Sequence, residues 1–397
     1  MDPKSIRTAV VFEADAFDRK GLFNAVHGRI KALEALGGYS LEPWCILCKD
    51  TPLARRVRHL APAQKVDELE VEGVRYRLLR YRFSLLDWLL VEKLHCRPLF
   101  WRLFLRRAAR RLAGRYDLIS AHSLSGGLLA AQTSRRSPVP FFITWHGSDI
   151  HTNPGRNPLI RRETAALSAA ATGNFYVSEA LMEAAAAFPG QKYLLRNGVD
   201  KRFYLRTSDE RRRLREEYEL QHDARVVAYA GHFFHVKNTL SLPDIWGELR
   251  RNYEGPLVFW LIGDGKEAPA VRARLDANPD LDWVGFGNRD PGEMPRLLSC
   301  VDVLVLPSFN EGLPLIAMEA LSCGCRVVGS LAGGIPEVIG CDHCVPLGAD
   351  FAAAMARKIA WCLQNPRDQK DGRDFSWTAT AERENQIYRE CLNSSAK

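Results

Sequence analysis

Residues 301–339, VDVLVLPSFNEGLPLIAMEALSCGCRVVGSLAGGIPEVI, restrict the fold more than any other stretch of the chain. Residues 301–306 form a short apolar, β-branched run of the kind that becomes a buried strand. Pro307 and Ser308 end it, and the polar turn Phe309-Asn310-Glu311-Gly312 follows. Pro314 then opens a helix-forming run over 315–321, since proline is tolerated in a first helical turn, where the N–H it lacks would be unpaired. Gly324 stands where that helix should stop, and 326–329 read as the next buried strand. The result is a strand–loop–helix–strand unit whose loop ends at a helix N-terminus. Free N–H groups and the positive end of the helix dipole make such a place a ready anion site.

Two carboxylates bracket that site, Glu311 in the loop and Glu319 on the helix. At ~1.5 Å per helical residue, Glu319 lies roughly 7 Å along the axis from Pro314. A diphosphate docked on the helix start could have one end near each acid. A carboxylate beside a phosphate is unfavourable unless it binds something else, and sugar hydroxyls are natural partners for it. For an arbitrary pair of glutamates at this spacing, two solvated helix-end acids would be the plainer reading.

The order of motifs along the chain changes that balance. Glu311 to Glu319, Gly324 and the turn Gly333-Gly334-Ile335-Pro336-Glu337 resemble the nucleotide-sugar site of the retaining glycosyltransferases of family four, which have the GT-B fold. The resemblance extends over nearly the whole chain. It takes in Trp145-His146-Gly147-Ser148-Asp149 after a strand, Asn197-Gly198-Val199-Asp200, Gly231 with Lys237, and Gly263-Asp264-Gly265. It implies an α/β protein of two Rossmann-like domains facing each other across a cleft. An acceptor-side domain would span 1–198 and a nucleotide-sugar domain 199–376, with a helix over 377–397 crossing back to the first. It further implies that Glu319 holds the ribose hydroxyls, Glu311 faces the donor sugar, and the backbone of Gly312, Leu313, Pro314 and Leu315 meets sugar and phosphate. Lys237 would clamp the diphosphate, His146 would approach the donor sugar, and Gly21 would sit near the acceptor and donor sugar. The backbone around Phe286 would lie beside the base. His232 departs from the pattern, standing where family members commonly carry arginine; histidine supplies charge only when protonated and has no bidentate fork.

Length and composition agree with this reading. The 397 residues suggest two domains, and 46% hydrophobic with 26% charged residues describe an ordinary folded protein. No run of about 18 uncharged apolar residues is present to span a membrane, and Met1-Asp2-Pro3-Lys4 is not followed by a secretory apolar core. The ten cysteines are too sparse for a disulfide scaffold. Cys45-Ile-Leu-Cys48 and Cys341-Asp-His-Cys344 stand far apart and read as structural thiols, so the expected compartment is a reducing cytoplasm. No ligand cluster calls for a metal, and no cofactor is expected beyond the donor, a UDP- or GDP-linked sugar. The absence of G-x-G-x-x-G after the first strand argues against an ordinary nicotinamide dehydrogenase.

Charge is uneven. The first 200 residues hold 30 Lys/Arg against 19 Asp/Glu, and the remainder 25 against 28. Residues 80–115 concentrate it: ten Arg/Lys face only Asp87 and Glu92, interleaved with Trp88, Phe100, Trp101 and leucines, and Pro98 divides the segment into two helices. Two readings stand side by side: peripheral contact with an anionic membrane at its inner face, or a core-facing amphipathic helix with a solvated basic side. No stacking or groove-reading motif supports a nucleic-acid partner. The function these readings lead to is retaining transfer of a sugar to a glycan or lipid-linked glycan in cell-surface polysaccharide synthesis. The alternatives are a non-catalytic nucleotide-sugar-binding subunit and an epimerase on the same architecture.

Overall fold

The computed structural model describes residues 5–17, 21–50, 66–365 and 375–394. Asp18, expected in the loop after the first strand, lies outside them. The chain divides into two compact units, one of residues 1–198 with 377–397 and the other of residues 199–376.

Among the described residues, the first unit holds an eight-stranded sheet. Its strands are β1 (Ile6–Glu13), β2 (Tyr39–Asp50), β3 (Glu68–Val71), β4 (Val74–Phe83), β5 (Leu118–His122), β6 (Phe141–Trp145), β7 (Gly173–Tyr176) and β8 (Lys192–Leu194). They lie in the order β3-β4-β2-β1-β5-β6-β7-β8, parallel except where β3 pairs with β4. The chain therefore reverses its direction of growth between β1 and β5. β5 and β6 are buried at every position, as strands covered by helices on both faces should be. The helix Ser123–Ser134 lies hard against β1: a Cβ on Gly126 would stand 2.5 Å from the Val11 carbonyl oxygen, so only glycine permits this approach.

The helix Trp377–Ser394 belongs to this unit and closes one part of its core. Ile387 and Tyr388 are buried with Leu118, Phe142 and Phe175. One turn before Tyr388, Glu384 is fully buried and accepts from Arg29 Nε at 2.5 Å. Arg29 also donates to Thr144 Oγ1 at 2.9 Å, and Tyr388 donates from its hydroxyl to Ser120 Oγ at 3.0 Å. A buried ion pair tied into such a network joins the helix Leu22–Leu36, β5, β6 and the last helix.

The second unit holds six strands among its described residues: β9 (Arg225–Ala230), β10 (Leu257–Ile262), β11 (Trp283–Gly287), β12 (Val303–Leu306), β13 (Arg326–Ser330) and β14 (Cys344–Val345). All pairs are parallel, in the order β11-β10-β9-β12-β13-β14. This is the doubly wound 3-2-1-4-5-6 order, with its switch point between β9 and β12. Trp246 and Phe259, stacked at 4.7 Å, centre the core on one face.

Two expectations are corrected in detail. The sequence of residues 71–79 alone reads as one strand; they are instead the turn and second arm of the β3–β4 hairpin. Glu72 and Gly73 both take positive φ (47° and 83°), the geometry of a tight hairpin turn, and this folds the chain back on itself. Pro314 stands at the N-cap rather than inside the first turn of the helix Leu315–Ser322.

Replacing Glu384 by Ala leaves the Arg29 guanidinium buried without its carboxylate. The denaturation free energy of the first unit should fall by about 3–5 kcal/mol, measured as a shifted denaturant midpoint. An unshifted midpoint would show that this ion pair does not hold the last helix.

Candidate functional site

The loops after β9 and β12 flank the switch point of the second sheet and are stitched together there. Phe309 N–H donates to Val236 O at 2.8 Å, and Asn238 Nδ2 donates to Pro307 O at 3.2 Å. Lys237 sits at the end of a 3₁₀ turn, His235–Lys237, which is closed by Asn238 in the left-handed region. Its Nζ lies 2.7 Å from both Glu311 carboxylate oxygens. Ser308 Oγ donates to Glu311 Oε1, also at 2.7 Å. The Glu311 side chain is only 11% exposed and that of Lys237 29%, so the pair is screened less than a surface ion pair. Two residues 74 positions apart thus meet directly across the switch point.

The loop's shape depends on the turn that follows β13. Gly334 N–H donates to Glu311 O at 2.9 Å. Gly333 has φ +52°, and a Cβ there would stand 2.2 Å from Glu311 O. The side-chain oxygen of Asn310 is buried beside this contact with no hydrogen-bond partner among the described residues. Beyond the loop, Leu315–Ser322 starts with no side-chain cap, so its first N–H groups have no capping oxygen. Glu319 projects from the second turn. Burial pushes its carboxyl up to about 7, against the opposing pull of Arg202 and with a smaller push from Asp200. A carboxylate so placed gains most from a partner that brings hydroxyl donors.

The first unit has its own polar cluster at the carboxyl ends of β5 and β6. His122 Nδ1 and His146 Nε2 are 3.1 Å apart, with the rings stacked at 5.3 Å. Burial, then the nearby Arg29 charge, pushes His146 down to about 3; burial also drives His122 well below its ordinary value. Both imidazoles are therefore neutral near pH 7, one donating to the other. Asp149 accepts from the Gly147 N–H at 2.9 Å and the His146 N–H at 3.2 Å, fixing the His-Gly-Ser-Asp loop. Burial raises its carboxyl to about 6.

Lys237, Glu311, Gly312, Leu313, Pro314, Leu315 and Glu319 thus lie on one loop–helix segment and the loop beside it. His146 and Gly21 belong to the other unit, where Gly21 precedes the helix Leu22–Leu36 with φ +37°. His232 follows β9, its ring stacked on Phe234 at 5.3 Å and its carbonyl accepting from the Tyr229 hydroxyl. The Phe286 ring packs edge-on against Trp260 and Tyr218, and its carbonyl accepts from Arg289 Nε. Sequence reasoning did not single out Ser308, Asn310, Arg202, Arg29 or His122. A histidine or serine at the carboxyl end of a buried strand was the available signal for His122 and Ser308.

A family model described as "Glycosyltransferase Family 4" matches residues 55–203, and one described as "Glycosyl transferases group 1" matches 224–365. A putative teichuronic acid biosynthesis glycosyltransferase of Bacillus subtilis is 24% identical over 250 residues, 61% of this chain. The match spans 60% of that relative's own length. Sucrose-phosphate synthase from Thermosynechococcus elongatus superposes with a TM-score of 0.75 at 21% identity, covering 98% of this chain and 100% of that one. HepE of Anabaena, solved with UDP and glucose, superposes with a TM-score of 0.71 at 16% identity, covering 96% and 99%. At such identities the likeness establishes a shared GT-B fold.

Two outcomes follow for the second unit. If Glu319 holds the donor's hydroxyls, as the resemblance implies, a nucleotide sugar, whose diphosphate does not titrate near neutrality, should bind more tightly at pH 8 than at pH 6, because the carboxylate accepts from hydroxyls more strongly than the acid. The change should approach tenfold per pH unit below about pH 7 and vanish in Glu319→Gln. An equal slope in that variant would point to another group. In Gly333→Ala, the Cβ forced against Glu311 O should displace the loop and weaken nucleotide-sugar binding while the far-ultraviolet circular dichroism stays unchanged.

Proposed function

We propose that this chain, which belongs to the group 1, family 4 glycosyltransferases, transfers a sugar from a nucleotide-diphosphate donor with retention of configuration. The observation that carries this reading is the Lys237–Glu311 pair at the switch point, adjoining an uncapped helix start and a half-buried Glu319. In the proposed complex the diphosphate lies against the amides of Leu313 and Leu315, and Glu319 accepts from the ribose hydroxyls. Glu311 accepts from the donor sugar, freeing Lys237 to face the phosphates.

The bond that breaks joins the anomeric carbon to a diphosphate oxygen, and the leaving group takes the electron pair. Stabilising that growing negative charge is the main task, performed by the helix N-terminus and Lys237. Neutral His146 in the first unit is suited to hydrogen bonding with a sugar hydroxyl rather than to supplying charge. Gly21 would leave room near the sugar, and the backbone around Phe286 would meet the base. His232 in the arginine position lessens the fixed charge at the diphosphate.

The donor is proposed to be UDP- or GDP-linked; a fold neighbour solved with UDP and glucose supports the former. A glycan or lipid-linked glycan is the proposed acceptor, in cell-surface polysaccharide synthesis at the cytoplasmic face of a membrane. The teichuronic acid relative supports that class.

Incubating the protein with a panel of nucleotide sugars and measuring released nucleoside diphosphate tests this reading. Turnover or slow hydrolysis of one donor is expected, lost in Glu319→Ala and reduced about 10²–10³-fold in Lys237→Ala. Binding of a donor with no turnover, even with membrane extract supplied, would favour the non-catalytic alternative that His232 suggests.

A further inference from the structure

The segment that is richest in arginine resolves into two helices with different exposures. In Leu99–Leu112, Trp101, Leu105, Ala108, Ala109 and Leu112 are buried, so this helix does present an amphipathic face to the core. Its opposite side carries exposed arginines, and Phe100 near its start is 69% exposed. The preceding helix, Leu85–Glu92, buries only Asp87 and Val91. Leu86 is 58% and Trp88 41% exposed, with Leu85 and Leu89 also in solvent. Among the described residues nothing covers these four large apolar side chains on eight residues, which a freely soluble surface rarely tolerates.

A pocket of ≈ 510 Å³ opens between the end of β4 and the helix Leu99–Leu112. Arg80, Arg82, Arg107 and Arg111 line it over a floor that includes Phe100 and Phe104. Among the described residues Arg82 and Arg107 make no ion pair. Arg80 reaches only the exposed Asp67, and Arg111 lies over the Trp44 ring. Phe100 belongs both to the pocket and to the exposed apolar set, and Leu85 follows the pocket residue Arg82 by three positions, so the guanidinium groups and the apolar helix adjoin along the chain. Among the described residues no helix is long and apolar enough to cross a membrane.

We propose that this face adsorbs to an anionic lipid bilayer, with headgroup phosphates entering the arginine-lined pocket and Leu85, Leu86, Trp88, Leu89 and Phe100 entering the interface. Charge selects the surface: unpaired guanidinium groups fit phosphodiesters, and each basic residue near an anionic leaflet contributes about fivefold in affinity. Apolar side chains on a short helix lying in the interface provide the component that salt does not remove. The proposal deepens the membrane-side acceptor reading given above and rests on it for its purpose. Adsorption is nevertheless read without any sugar transfer.

Sedimentation of the full chain with phosphatidylglycerol vesicles, against phosphatidylcholine vesicles, measures it. Binding to phosphatidylglycerol is expected to be much stronger than binding to phosphatidylcholine. It should fall roughly 25-fold in R82A/R107A, both exposed positions. In L86S/W88S the binding that survives in 0.5 M salt should be lost. Glu319→Ala should sediment like the unaltered chain, which separates failure of this proposal from failure of the transferase reading. Equal binding to both lipids, no binding to either, or binding unchanged in both double variants would overturn it.

Discussion

The Lys237–Glu311 ion pair is the contact around which the second unit is arranged. In a doubly wound sheet, the loops after the first and fourth strands part at the switch point, leaving a crevice. Here a buried carboxylate and an ammonium close that crevice at its base, held by Ser308 on one side and by the Gly333-Gly334 turn on the other. Neither charge could be left alone at this depth at small cost. A donor with hydroxyls for Glu311 and phosphates for Lys237 can divide the pair without stranding either partner. That exchange is the physical basis of the proposed site.

Burial works on the titratable groups of both units in one direction, away from charge. Glu319 rises to about 7, and His146 falls to about 3. Fixed positive potential in the second unit comes from Lys237, Arg202 and the helix start. His122 and His146 in the first unit form a neutral hydrogen-bonding pair beneath which Arg29, Glu384 and Thr144 are locked together. The last helix of the chain supplies Glu384 and Tyr388 to that network, so the support of the His146 loop depends on residues more than 200 positions away.

Much of this architecture was legible because it is local. The strand–loop–helix–strand pattern at 301–339 fixes a parallel α/β unit, and the helix Leu315–Ser322 lies where the run over 315–321 places it. The family was legible from motifs in order. What escaped was non-local or conformational. The β3–β4 hairpin turns on Glu72-Gly73, which lacks the usual Asn-Gly or Asp-Gly signal, and tertiary pairing set it instead. The contact between Lys237 and Glu311 joins two segments that the sequence shows only as separate motifs. In residues 80–115 the Trp101–Leu112 face is core, as the amphipathic reading expected, and the arginines and the preceding helix face outward.

A crystal structure of the protein with an intact nucleotide sugar tests the proposed site most directly. The ribose hydroxyls should hydrogen-bond to Glu319, the diphosphate should meet the amides of Leu313 and Leu315, and Lys237 Nζ should turn from Glu311 towards a phosphate oxygen. A donor bound elsewhere, with the Lys237–Glu311 pair intact and Glu319 still without hydroxyl partners, would contradict it.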